Sequence, residues 1–339
     1  KNSEDARERF TSEIMEEKPI EVLLFGLGAI GGFYAFILSR NANVRLSVVA
    51  RSNYEVVKRN GLRIESKTHG KHLVDIVNVY KHPSEASQPF DYIVCAHKAI
   101  DQTAVAASFD CSARNDETTF VLAQNGIGNE DAFRLAFPNN TLLSAVVWIG
   151  ATQTEPGLIR HASSENTELG LLSHPPTDPP HQHPRLDHFA SLLRNGGTHV
   201  SVVPDAQIPR WEKVVWNCAW NPLTTLTGVD TQTWLASSPA AVDVTRRLMH
   251  EVVAVARACG VPLGFDLVDT LLTRIGGMPG LWSSMHTDMV RGNALEVDVI
   301  VGAPVRKAAE HQVDVPTLRA VYAMTVAVNQ RITSGRGGD

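Results

Sequence analysis

Ile20-Glu21-Val22-Leu23-Leu24-Phe25-Gly26-Leu27-Gly28-Ala29-Ile30-Gly31 joins a short apolar run to three glycines spaced G-x-G-x-x-G. Ile30, Phe33, Tyr34, Ile37 and Leu38 then recur at helical spacing, so the stretch reads as strand, tight loop and helix. Gly26 permits the turn, Gly28 lets the main chain approach a pyrophosphate, and Gly31 lets the helix pack near the strand. Leu27, Ala29 and Ile30 complete a loop whose following helix N-terminus offers amides and partial positive charge to phosphate. A Rossmann-type dinucleotide-binding domain is expected; the competing reading is a glycine turn without a ligand.

The segments that follow extend an α/β pattern. Asn43 to Ala50 reads as the next strand, ending in Arg51-Ser52-Asn53. An acidic residue at this place holds a ribose diol, whereas a guanidinium and a hydroxyl suit a 2′-phosphate. NADP(H) is therefore the expected cofactor, against the plainer reading of Arg51 as a surface charge. Tyr92 to Ala96, Thr119 to Ala123 and Leu142 to Trp148 are further strand-like runs. The first ends in His97-Lys98 and the second in Gln124-Asn125-Gly126, which makes Lys98 and Asn125 candidates for a site beyond the strand ends. Pro156-Gly157 predicts a hairpin within 150–170. The Pro- and His-rich 174–188 reads as a solvent loop, since its prolines oppose a regular element and no cysteine joins the histidines as a metal set.

From Pro209 onward helical periodicity takes over, with the domain boundary expected near Pro204 to Pro209. Helices are predicted over Val242–Cys259 (ending at Gly260), Leu267–Ile275, Leu281–Val290, Val297–Ala309 and Thr317–Arg331. Trp211 to Pro222 carries Lys213, Asn217 and Asn221 at four-residue intervals, which stacks them along one side of a helix among apolar neighbours. One ammonium and two carboxamides suit an anionic, oxygen-rich small molecule. Ser284 and Glu296 would lie about 120° apart on a continuous helix. Gly292-Asn293 between them makes an irregularity plausible, so that both face one cleft. Alone, Ser284 reads as a cap or surface hydroxyl and Glu296 as a solvated charge.

Composition bounds the function. A chain of 339 residues exceeds a single core, and two domains with a cleft between them are expected: 20–207 for the nucleotide and 208–332 for the helices, after an extension over 1–19. A net charge of -5 without a basic run argues against nucleic acid. Cys95, Cys111, Cys218 and Cys259 have no zinc spacing and read as reduced thiols. Residues 1–18 mix acidic and basic side chains and read as neither signal nor transit peptide, and no run is long enough to span a bilayer. The expected setting is the cytoplasm, without metal or membrane.

Taken together, these residues resemble the ketopantoate reductase (2-dehydropantoate 2-reductase) family. The matching pieces are the loop Gly26 to Gly32, Lys98 and Asn125-Gly126. With them go Trp211-x-Lys213-x3-Asn217-x3-Asn221-Pro222-Leu223-Thr224, and Ser283-Ser284-Met285 leading to Glu296. They occur in family order from about residue 20 to residue 330. The glycine loop is common to many oxidoreductases, and Lys-x3-Asn recurs in β-hydroxyacid and 6-phosphogluconate dehydrogenases. The Asn-Pro-Leu-Thr run with Ser284 and Glu296 separates this family from those.

The resemblance implies an all-helical C-terminal domain of the 6-phosphogluconate dehydrogenase type, acting as monomer or homodimer. It also implies NADPH-dependent reduction of ketopantoate to (R)-pantoate in pantothenate biosynthesis. Gly26, Gly28, Gly31, Arg51, Lys98 and Asn125 would contact NADPH or border its nicotinamide, and Lys213 would be the general acid. Asn217, Asn221 and Ser284 would bind substrate, with Glu296 beside Lys213 and the substrate hydroxyl. Reduction of another branched 2-oxo acid and NADPH sensing without turnover are the alternatives. The N-terminal extension, the Pro/His insertion and the indoles of Trp216 and Trp220 depart from a minimal member. The two indoles flank the polar row and bear on the shape of the pocket.

Overall fold

The computed structural model describes residues 18–172 and 182–335. Strand β1 (Ile20–Phe25) runs through the glycine loop into α1 (Ala29–Ser39) and returns as β2 (Val44–Val49). After α2 (Tyr54–Asn60) come β3 (Leu62–Ser66), β4 (Gly70–Val74) and β5 (Asn78–Tyr80). Next are β6 (Tyr92–Cys95), α3 (Gln102–Ala107), β7 (Thr119–Leu122) and α4 (Asp131–Ala136). The half closes with the long hairpin β8 (Thr141–Glu155) and β9 (Leu158–Leu171), then α5 (Gln182–Asn195) and β10 (His199–Val202).

All ten strands form one sheet in the order β4-β3-β9-β8-β7-β6-β1-β2-β5, with β10 on β9. Strands β5, β2, β1, β6, β7 and β8 are mutually parallel, and the near-continuous burial of β1, β6 and β7 is that of strands covered on both faces. The chain leaves β1 for β2 on one side and comes back as β6 on the other. The two loops leaving β1 and β6 therefore diverge, and the crevice between them is the switch point where open α/β sheets bind ligands.

The prolines of 174–188 do not exclude a regular element throughout. Helix α5 begins at Gln182 with Pro184 in its first turn, where the missing N–H is one the helix would leave unpaired anyway. Residues 173–181 and the extension over 1–17 lie outside the described residues.

From residue 207 the described residues form only helices. Helix α6 (Gln207–Thr227) is the axis of this half and is buried almost all round, more than its amphipathic pattern suggests. Around it lie α7 (Thr231–Ser237), α8 (Pro239–Ala258), α9 (Asp266–Gly276), α10 (Ser284–Val290), α11 (Ala303–Glu310) and α12 (Pro316–Ser334). Two predicted helices are shortened. The first starts at Ser284, where the Ser283 hydroxyl accepts the His286 N–H as N-cap. The second opens with a π-helical turn over Asp298–Gly302 before α11.

Pro222 leaves the Cys218 carbonyl without its main-chain donor inside α6. The hydroxyls of Thr224 and Thr225 bond back to Trp220 O and Asn221 O, which steadies the turn that carries Asn221.

Candidate active site

A cleft of about 610 Å³ lies between the carboxyl ends of the central strands and the helices α6, α9 and α10. Its sheet-side lip is the glycine loop. Gly26 has φ +100° and a Cβ there would meet His97 N at 2.2 Å, so side chains are excluded by both torsion and space. A Cβ on Gly31 would meet Gly26 O at 2.0 Å, which makes it the packing glycine. Gly28 faces open space, with nothing within 4 Å of a Cβ. It caps α1 without any side-chain acceptor, so the first amides of the helix point unshielded at the crevice. Gly26 to Ile30 line the cleft, and Gly31 sits behind it.

Arg51 lines the same lip after β2, and its guanidinium makes no hydrogen bond or ion pair among the described residues. Neighbouring Asn53 instead ties Nδ2 to Leu27 O at 2.7 Å, fixing the loop.

The floor is made where the two halves meet. Gly126, at φ +85°, brings the loop after β7 against the π-helical turn, where a Cβ would lie 2.3 Å from Val299 O. Ile127 N–H donates to that same carbonyl at 3.1 Å. Arg210, in the first turn of α6, braces this loop through both carboxylate oxygens of Glu130 (2.6 and 2.7 Å) and Asn129 Oδ1 (2.7 Å). Burial pushes the Glu130 carboxyl up, but the Arg210 charge and hydrogen bonds outweigh it and hold it at about 2.

The structure brings Lys98, Asn125 and Glu296 together in a way the sequence did not suggest. Buried Glu296 accepts Ala99 N–H at 2.9 Å, Asn125 Nδ2 at 3.3 Å and Lys98 Nζ at 3.4 Å. Lys98 Nζ also lies 2.7 Å from Asp288 Oδ2. Burial lowers the Lys98 pKa, yet the charges of Glu296 and Asp288 prevail and hold it above the ordinary range. Glu296 therefore partners Lys98 directly, not Lys213. Asp288 escaped sequence reasoning because no spacing links it to a lysine in the other half.

Lys213 Nζ donates to Val147 O of β8 at 2.7 Å, crossing from the helical half to the sheet. Burial pushes its pKa down to about 8, against the raising effect of Glu296 and Glu168; Lys98 lowers it further. Asn217 and Asn221 follow on the same face, 7% and 4% exposed. Their Nδ2 atoms, together with Trp220 Nε1, are buried without hydrogen-bond partners among the described residues. All three residues line the cleft with Lys213. Ser284 lines it too, one residue past the Ser283 cap, whose Oγ lies 2.7 Å from Thr224 Oγ1.

Trp148, Trp216 and Trp220 wall the pocket in edge-on succession, with centroids 6.4 and 5.8 Å apart. The last two are the indoles that interleave with the polar row of α6, and Trp148 joins them from β8. His97, which also lines the cleft, is depressed by burial to about 4 and is neutral at physiological pH. Among the described residues no helix is long and apolar enough to cross a membrane, and no group of three or more His, Cys, Asp or Glu could hold a metal ion.

A glycine-loop sheet domain closed by helices that contribute a partly buried lysine defines a two-domain oxidoreductase. The chain matches the family model described as ketopantoate reductase PanE/ApbA over residues 22–174, and that for the C terminal of the same family over residues 205–329. It belongs to the ketopantoate reductase family.

A 2-dehydropantoate 2-reductase of Nostoc sp. is 27% identical over 327 residues, covering 95% of this chain and 98% of its own length. The crystal structure of 2-dehydropantoate 2-reductase from Methylococcus capsulatus is 32% identical with a TM-score of 0.80, covering 92% of this chain and 98% of that one. A D-mandelate dehydrogenase structure with NADH and anilino(oxo)acetate shares the fold at 19% identity and TM-score 0.81, covering 93% of this chain and all (100%) of that one.

Proposed function

We propose that this chain reduces 2-dehydropantoate to (R)-pantoate with NADPH, as a cytoplasmic step of pantothenate biosynthesis. The observation that carries the reading is the set of buried donors on Asn217, Asn221 and Trp220 beside Lys213, which have no partner among the described residues. Each such donor costs about 1–3 kcal/mol unless something accepts from it. A 2-oxo acid brings carboxylate and carbonyl oxygens to the place that lacks them. The names of the relatives support this substrate.

The glycine loop fits a dinucleotide pyrophosphate, since Gly28 leaves open space over uncapped helix amides. Arg51, whose guanidinium has no partner among the described residues and whose place no carboxylate takes, fits a 2′-phosphate and so favours NADPH. The bound cofactor supplies a hydride to C2 of the substrate. Lys213 stabilises the developing alkoxide and gives it a proton, a role worth about 10²- to 10⁴-fold. Asn217, Asn221 and Ser284 orient the substrate without adding charge. Glu296 acts at longer range: its charge opposes the effect of burial on Lys213, while its direct bonds hold Lys98 and Asn125 at the floor.

The three indoles favour a second reading, in which the preferred substrate is another branched 2-oxo acid with a larger apolar group. NADPH oxidation measured over a panel of 2-oxo acids, with ketopantoate first, tests both. Turnover of ketopantoate with the highest kcat/KM supports the first reading, and a bulkier acid ahead of it supports the second. Tight NADPH binding with no turnover of any 2-oxo acid would instead mean a sensor.

A further inference from the structure

Arg274 stands in the last turn of α9, where a cation at a helix C-terminus needs no further explanation. Its position is nevertheless specific. The guanidinium carbon lies 4.9 Å over the Trp148 ring and 5.3 Å over the Trp216 ring. Those rings meet at 78°, so the guanidinium occupies the corner of a T. Trp148 is itself held by a 3.0 Å hydrogen bond from Nε1 to Glu168. Two aromatic faces thus flank the cation, and its N–H edge is the part that can pair with an anion. No side chain among the described residues gives that edge a hydrogen bond or an ion pair, and Arg274 lines the cleft.

The other cations near the substrate position are committed. Lys98 is held between Asp288 and Glu296. Lys213 Nζ stands 5.5 Å from the centre of the same Trp148 ring, so the two cationic heads are no farther apart than these two ring distances laid end to end.

We propose that Arg274 binds the substrate carboxylate, leaving Lys213 to the carbonyl oxygen; this rests on the reading of the cleft as a 2-oxo acid reductase. The chemistry favours the division. A guanidinium pairs with a carboxylate through two parallel hydrogen bonds and never deprotonates. An ammonium that also held the carboxylate would have its proton retained by that negative charge, just where the proton must be given up. With the carboxylate at the Trp148–Trp216 corner and the carbonyl oxygen at Lys213, the further lone pairs of these oxygens and the terminal hydroxyl of ketopantoate accept from Asn217, Asn221 and Trp220.

The test compares the wild type with Arg274→Gln and Arg274→Lys, using ketopantoate, the best other 2-oxo acid of the panel, and the primary amide of each. For Arg274→Gln, KM for the acids should rise about 10- to 10²-fold with kcat within about threefold. NADPH binding, read by fluorescence titration, should be unchanged, and Arg274→Lys should recover part of the loss. The amides, lacking the charge, should be reduced with equal kcat/KM by wild type and Arg274→Gln. An unchanged KM for the acids overturns the proposal, as does an equal loss with the amides, which would make Arg274 a support for the indoles only. If the wild type reduces no 2-oxo acid, the functional reading fails, and calorimetric binding of oxamate in the presence of NADP+ decides on Arg274. Weaker oxamate binding by Arg274→Gln then supports the anion site; equal binding, or none by the wild type, overturns it.

Discussion

The protonation of Lys213 sets a pH limit on turnover that can be worked out from its surroundings. Burial depresses the ammonium to about 8, the carboxylates of Glu296 and Glu168 oppose this, and Lys98 adds to it. A lysine that donates a proton is active only below its pKa. The profile of kcat/KM should therefore be level toward neutral pH and bend at about 8; by pH 9 it should stand at about one tenth of the plateau, falling tenfold per further unit. An unperturbed lysine would bend near 10.4, so the two cases are more than two pH units apart. The perturbation is Glu296→Gln, which removes the first of the raising charges and should move the bend to lower pH. A companion variant, Lys213→Ala, should lose at least about 10²-fold in kcat and lose the bend, while still binding NADPH. Initial rates of NADPH oxidation in a constant-ionic-strength buffer series give all three profiles. A wild-type bend at pH 10 or above, or the same bend surviving in Lys213→Ala, would refute the assignment of Lys213 as the acid.

Other positions give separate checks. Arg51→Ala should weaken NADPH binding and raise the relative use of NADH; an unchanged preference in paired titrations removes Arg51 from the 2′-phosphate. Gly28→Ala should melt like the wild type but bind cofactor less well, because its Cβ fills ligand space rather than protein space. Gly26→Ala should lower the melting temperature itself, since its φ of +100° and the nearby His97 main chain oppose a side chain. Arg210→Met leaves Glu130 without its partner and should cost about 3–5 kcal/mol by denaturant unfolding. The stability that pairing gives is fully present above the ordinary carboxylate value of 4.5 and is lost as pH falls through about 2, so acid should narrow the gap between variant and wild type.

The fold was legible wherever burial on both faces wrote long apolar runs. Strands β1, β6, β7 and the start of β8 carry such runs, bounded by polar or glycine loops, and β2 is buried over its last four residues. The edge strand β4 is exposed at every residue but Val74, and β10 is nearly as open, so neither leaves an apolar signature. In the site, Lys213, Asn217 and Asn221 were readable because helical periodicity is a local rule. Asp288 and Trp148 were not: each reaches its partner across the junction of the two halves, and no local spacing records that. Arg274 was hidden differently, since a basic residue in a last helical turn already has a satisfactory local explanation.

The break between Ser284 and Glu296 shows how such a junction is built. Helix α10 ends at Val290, Gly292 turns the chain at φ +67°, and the π-helical turn begins at Asp298. That interruption frees Glu296 from the angular offset of a continuous helix and lets its carboxylate reach the Ala99 amide on the opposite half. The same turn offers Val299 O to Ile127 N–H and Ile300 O to the Cys218 thiol. One irregular segment therefore contacts the loop after β6, the loop after β7 and the helix that carries Lys213. Straightening it would withdraw Glu296 from Lys98 and Asn125 and remove the charge that opposes the loss of the Lys213 proton. The sensitive element of this site is thus the chain break at 291–297, and shortening it by one residue should move the pH bend of Lys213 downward, as Glu296→Gln does.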